Sequence, residues 1–500
     1  MTINNKNPSH YLDFKIQMHI IRINTSLRST LRYPMKLLKG LALVSSVTLL
    51  AACGSDSDDA TIPAPAYSFT SVVDNTGTSA VSYSGQATRH QLINELKALI
   101  GSDELQQVAS KQDALDMLNQ VYLVGTNGTD TIYSLAEQDL YTEEQAASAV
   151  TLSLNSEGTN LKQSDYADLS GGKNLQGKMA GQDNDLTQSF IGWSITLTGD
   201  QTDNDKPDLL IQAWFDAIAD LAIDGNGSTK FVDANGVDYQ QLVQKFLLGA
   251  VTYSQAAEDY LSSAKLLSND NLVAKDGTKP YTALGHGWDE GFGYFGAGRD
   301  YINRTDADNK NTPDFDQNQD GLIDLYAEYN FGHSVNAAKR DAGATVAVDY
   351  TKNAFDAFKA GRQIIQDNYG TEQVSGQGYH AELVEQAGIA LNNWENAIAA
   401  TVIHYINDVI TETQTIGTQT EMTLADRAKH WAEMKGFALS LQFSPVSQIN
   451  TADLTTVLSA MGEAPVASIN DVDAFVTALE AARDIMQVAY GFDAQNVANW

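Results

Sequence analysis

The side chains with the most chemistry in this chain lie between Gly285 and Asp341, in GHGWDEGFGYFGAGRDY and then DFDQNQDGLIDLYAEYNFGHSVNAAKRD. Asp316, Asn318, Asp320 and Asp324 stand at positions 1, 3, 5 and 9 of an EF-hand loop. Gly321 takes the sharp-turn position, the Leu322 carbonyl the seventh and Ile323 the apolar eighth. Oxygen donors at that spacing suit a hard cation, so the stretch predicts calcium in a structural role. The closing position, where a bidentate Glu belongs, holds Ala327, and Glu328 follows one residue late. An ion completed by Glu328 through a stretched loop is expected to bind less tightly than in a complete loop.

A second set is built on histidine. His286 has Asp289 and Glu290 beside it, His380 has Glu382, His430 has Glu433, and His333 follows a glycine. If His286, Glu290, His380, His430 and Glu433 converged they would offer a transition-metal site. No H-E-x-x-H spacing enforces that meeting, and each histidine alone reads as a hydrogen-bonded structural one, as does His404 with Asp408 four residues on. Gly291 to Gly296 counts as G-x-G-x-x-G, but no strand precedes it to aim backbone N–H groups at a pyrophosphate. Glycines interleaved with Trp288, Tyr294 and Phe295 read instead as close backbone packing, with a carbohydrate- or peptide-binding surface as the alternative. There is neither a G-x-S-x-G elbow nor a P-loop.

The elements that must position these groups are helices. Pro207 opens one that Asp224-Gly225-Asn226-Gly227 stops, and further helices are expected near 240–248, 254–267, 351–366, 379–413, 424–440, 452–461 and 470–490. In the longest, Leu383, Ala387, Leu391, Trp394, Ile398, Val402, Ile406 and Val409 form one stripe and Ala397, Ala400, Thr401 and His404 another, so it should be central and buried. Tyr67 to Tyr83 alternates across an Asn75-Thr76-Gly77 turn and predicts a short hairpin or extended arm. The expected class is all-α: two packed helical bundles, residues 67–270 and 350–500, with a loop-rich joint at 271–349 carrying the calcium loop.

The N-terminus gives an address. Met35-Lys36-Leu37-Leu38-Lys39, an apolar run from Gly40 and then Leu50-Ala51-Ala52-Cys53 make a signal peptide over residues 1–52, with Met35 the expected start. Leu-Ala-Ala-Cys resembles the lipobox of bacterial lipoproteins, which implies lipidation of Cys53, the single cysteine, and membrane attachment through that lipid. Residues 53–66 are rich in Ser, Asp and Pro and read as a tether. Gly54 follows the cysteine in place of the Asp that retains lipoproteins at the inner membrane, so the outer membrane is expected, on its periplasmic or cell-surface face. Removing residues 1–52, with their seven Lys/Arg and one Asp, takes the 31 basic and 63 acidic side chains to 24 and 62, a net of −38. Such a charge repels nucleic acid and excludes it as a partner class.

Several stretches resemble the bacterial lipoprotein family catalogued as domain of unknown function 4856: Tyr83-Ser84-Gly85-Gln86-Ala87-Thr88-Arg89, His286 to Gly296, Ala360-Gly361-Arg362, Ala399 to Asn407, and His430-Trp431-Ala432-Glu433. The resemblance covers almost all the mature chain and implies a secreted helical protein with no assigned catalytic residue. A second, smaller resemblance is to the imelysin group, two-bundle helical lipoproteins associated with iron acquisition and marked by G-x-H-x-x-E. Here Gly378-Tyr379-His380 is followed by Glu382, with Leu383 where Glu is expected. Together these features favour a non-enzymatic binding or uptake lipoprotein, related to metal such as iron. The alternative is a metal-dependent hydrolase using His286, His380 or His430 with Glu290 or Glu433.

Overall fold

Apolar residues at helical spacing dominate the chain, and the computed structural model places them in helices. It describes residues 64–125, 154, 160–224 and 231–500. The signal peptide, Cys53 and most of the tether lie outside the described residues. The longer helices are α1 (Ser84–Ile100), α2 (Lys111–Asn119), α3 (Lys206–Ile223), α4 (Tyr239–Leu247), α5 (Ala283–Phe295), α6 (Gly332–Gly343), α7 (Tyr350–Asp367), α8 (Gly378–Thr413), α9 (Leu424–Ser440), α10 (Thr451–Met461) and α11 (Val472–Tyr490). Among the described residues only isolated β-bridges occur outside helices and turns, and no helix is long and apolar enough to cross a membrane.

Local chemistry sets the helix ends. Thr423 caps α9 by accepting the Asp426 N–H, Asp238 caps α4 through Gln241, and Asn450 caps α10 through Asp453. The expected hairpin is a short arm: Ser71 donates to the Thr78 carbonyl and Ala80 to that of Phe69.

At 36 residues α8 is about 54 Å long. Its predicted stripe from Leu383 to Val409 is buried throughout, and α6, α7, α9 and α11 pack around it. Ala397, Ala400 and Thr401 on the second face are buried too, which lets neighbouring helices come close. One hydrophobic core runs from Tyr67 to Trp500, and α4 of the first half lies directly against α9 of the second. Helix-on-helix contact thus joins the two halves, where a loop-rich joint was expected to do so. The joint itself contains α5 and α6, because the glycines of HGWDEGFGYF sit in a helix held by its packing.

Candidate functional site

The glycine–aromatic motif lies on α5. Trp288, Tyr294 and Phe295 are fully buried; a surface binder would need them exposed together, so that alternative is corrected to core packing. A Cβ on Gly293 would stand 2.7 Å from Tyr83 Cβ, and one on Gly361 of α7 would stand 2.0 Å from Trp288 Cζ2. Glycine is used there to let rings and backbones meet. The motif's charged residues hold the N-terminal arm. Asp289, fully buried, accepts from Tyr67 Oη at 2.9 Å, from Arg362 Nε at 3.0 Å and from the Ser82 N–H at 3.2 Å, and Arg362 reaches on to the Ala80 carbonyl. Tyr67 stacks on Phe292 with ring centroids 3.9 Å apart. His286 Nδ1 lies 3.1 Å from the Ser82 carbonyl oxygen and its Nε2 3.6 Å from Glu290, which accepts from Gln86. Burial lowers the His286 pKa. His286, Trp288, Asp289 and Glu290 all have partners within the fold, whereas the buried Tyr294 hydroxyl has none.

The other two histidines lie elsewhere. His380, at the start of α8, accepts the Gly376 N–H at Nδ1, so the neutral ring donates from Nε2 to the Ser263 carbonyl at 3.0 Å. Both nitrogens are engaged. His430 on α9 meets Glu412 of α8 at 2.5 Å, a contact that raises its pKa against the opposing effect of burial. Glu433, one turn further, faces Lys245 of α4 at 3.3 Å. His286, His380 and His430 therefore occupy three separate surroundings, and among the described residues no three His, Cys, Asp or Glu gather as a metal site. His333 is buried and bonded to the Leu248 carbonyl.

Loop 316–328 is flanked by the antiparallel bridge Asp314–Tyr329 in place of two helices. Its first half has the turn the spacing requires. Gly321 has φ +82°, and the Asp316 carboxylate accepts the Gly321 N–H at 2.8 Å and that of Asp320 at 3.1 Å. Asn318 and Asp320 project at the surface. The second half is knitted inward. Glu328 accepts three backbone N–H groups, from Gln317, Asn318 and Asp324, and burial raises its pKa. Asp324 is held by Lys162 at 3.0 Å, by Gln163 at 2.8 Å and by the Tyr326 N–H. Ile323 exchanges backbone hydrogen bonds with Asn160 and Lys162.

The donor set of Asp316, Asn318, Asp320 and the Leu322 carbonyl fits a hard cation. Asp324 and Glu328 would have to share theirs with Lys162 and the backbone. A cavity of about 110 Å³ lies behind the loop, lined by Arg299, Asp300, Asn318, Asp324 and Glu328. Asp300 accepts the Ala66 N–H there, and Tyr67 donates to the Arg299 carbonyl. The start of the described chain is thus fastened beside the loop.

One polar cluster escaped the sequence. Lys97, Lys245, Lys339 and Lys429, from α1, α4, α6 and α9, stand around Glu433, which meets Lys245 at 3.3 Å. No linear signal marks them, since residues up to 332 positions apart are joined by packing alone.

Fold and site together define a helical protein assembled around a buried N-terminal arm. The chain belongs to the family described as Domain of unknown function (DUF4856), which it matches over residues 65–460. No curated protein and no solved structure matches it.

Proposed function

We propose that the chain is a lipid-tethered, outer-membrane binding protein whose loop 316–328 takes calcium for structural reasons. The observation that carries the calcium reading is the Asp316 carboxylate folded over the Gly321 N–H at 2.8 Å. That turn is the one an EF-hand spacing calls for, and Asp316, Asn318, Asp320 and the Leu322 carbonyl are oxygen donors of the kind a hard cation takes. Such an ion would fasten the loop to the 160–163 segment and to the root of the tether. The lipobox supports the tether. Binding is favoured over hydrolysis because His286 and His380 are engaged with backbone partners and His430 with Glu412, far from a shared ion.

With the ligand set incomplete, the dissociation constant is expected at about 10⁻⁴ to 10⁻³ M. Calcium at about 10 mM should then stabilise the fold by about 1–3 kcal/mol. Denaturant unfolding of the purified chain in calcium and in chelator measures this. Asp316→Asn should abolish the difference; an equal calcium response in Asp316→Asn, or none in the parent chain, contradicts the proposal.

A further inference from the structure

A cavity of about 390 Å³ lies between the segment 190–194, the exposed face of α10 and the Gly462-Glu463 turn, with Lys435 of α9 also in its wall. Its volume falls in the range of small-ligand pockets, roughly 300–1,000 Å³. Hydrogen bonds hold each wall in place, so the space does not close by simple collapse. Gln442, just after α9, donates to the Ile191 carbonyl at 3.2 Å and accepts the Ile191 N–H at 2.9 Å, and Glu463 accepts the Ser194 N–H at 2.7 Å. Gly192, at φ +88°, is pressed onto α10, where a Cβ would stand 2.6 Å from Leu458 Cδ1. Trp431 and Lys435 donate to the Met461 and Leu458 carbonyls, which belong to the last turn of α10 and have no partner within that helix.

The lining sets the class of ligand. Its only charged side chains are Lys435 and Glu463, one of each sign. The Lys435 amine is answered by the Leu458 carbonyl at 2.9 Å and by Trp193, whose ring centre lies 5.9 Å from Nζ. The lining groups thus carry no net charge for an ionic ligand to neutralise. Ser194, Thr455 and Ser459 add exposed hydroxyls, and Thr455 gives its proton to the Thr451 carbonyl, leaving its oxygen free to accept. Trp193, half-buried, supplies a broad apolar wall and is held against Trp214 with ring centres 5.2 Å apart. A pyranose matches that set. Its hydroxyls stand around the rim, where carboxylate and hydroxyl oxygens meet them, and its C–H face packs on an indole ring.

We propose that this cavity binds a neutral sugar of one or two rings, with Trp193 as the packing surface and Glu463, Ser194, Thr455 and Ser459 as the hydrogen-bonding rim. Lys435 acts through position, by holding the end of α10. The site is separate from the buried aromatics of α5. It rests on the reading of the chain as a binding protein and names the chemistry of its ligand.

Isothermal titration calorimetry of the purified full chain with glucose, N-acetylglucosamine, maltose and cellobiose, and with sodium benzoate as an apolar acid of similar ring size, tests it. At least one of the sugars should bind saturably with a Kd of about 1 mM or tighter, and more tightly than benzoate. Glu463→Gln keeps an acceptor for the Ser194 N–H but loses the charge that strengthens a hydrogen bond, and should weaken that sugar by about tenfold. Trp193→Ala should weaken it by at least as much. Because Trp193→Ala also removes packing from Trp214, Ser459→Trp is the second block: it places a ring in the cavity from an exposed position and should abolish binding with thermal unfolding unchanged. No saturable binding by any of the sugars overturns the site, as does benzoate binding more tightly than all of them. Sugar binding that Ser459→Trp leaves unchanged overturns it too. A chain that responds to calcium through Asp316 but binds none of the sugars loses this site alone; one that binds sugar but ignores calcium keeps it.

Discussion

Two buried arginines in this molecule have opposite surroundings. Arg362 is 3% exposed and meets Asp289 at 3.0 Å, within a set that includes Tyr67, Ser82 and Ala80. Arg340 is 8% exposed, lies beside Tyr405 and Asp408 of α8, and leaves Nε and Nη1 without a hydrogen-bond partner. The first arrangement closes on itself and serves folding, fastening residues 67–83 to α5 and α7. The second leaves two buried donors open. The stretch richest in unusual residues is thus structural, and the open donors stand on helices whose sequence draws no attention.

That contrast is sharpened most by breaking the closed site. Asp289→Ala strands Arg362 in the core without its carboxylate and is expected to cost about 3–5 kcal/mol in equilibrium denaturation. A loss below about 1 kcal/mol would mean that the arm is not held there.

Next in size is the close packing beside it. Gly361→Ala drives a methyl into Trp288 and should cost about 1–3 kcal/mol despite the better helix propensity of alanine. If the variant is as stable as the parent, the ring has room that the 2.0 Å approach denies.

A smaller effect comes from a buried lysine whose partner is a backbone carbonyl in place of a carboxylate. Lys435, 1% exposed, donates to the Leu458 carbonyl, and burial lowers its pKa to about 7, with Glu463 opposing. Between about 7 and the ordinary 10.5 the unfolded chain holds the extra proton, so stability rises with pH across that window; the penalty is full below it and absent above. Unfolding at pH 7 and pH 9.5 should show Lys435→Met losing on the order of 1 kcal/mol of that rise. An unchanged rise would assign it to Lys97 and the cluster.

Much of the helical framework was legible. The span 424–440 coincides with α9, and 351–366 and 379–413 fall within a residue of α7 and α8, because stripes such as Leu383 to Val409 carry the 3.6-residue period and Thr423 supplies a cap. The α5 helix was not legible, since Gly285, Gly287, Gly291 and Gly293 lower helix propensity and only packing against Tyr83 and Leu261 shows why they are there. The turn at Gly321 follows from its spacing, but the inward use of Glu328 and the Lys162 contact to Asp324 depend on a segment about 160 residues away. The cationic cluster was invisible for the same reason, as no pattern along the chain brings Lys97 to Lys429.

The most direct test compares Arg362→Met with Arg340→Met by denaturant unfolding. The account predicts that Arg362→Met loses about 3–5 kcal/mol, whereas Arg340→Met, relieved of buried N–H groups without acceptors, is unchanged or more stable. A loss in Arg340→Met equal to that in Arg362→Met would show that both arginines serve folding alone and contradict it.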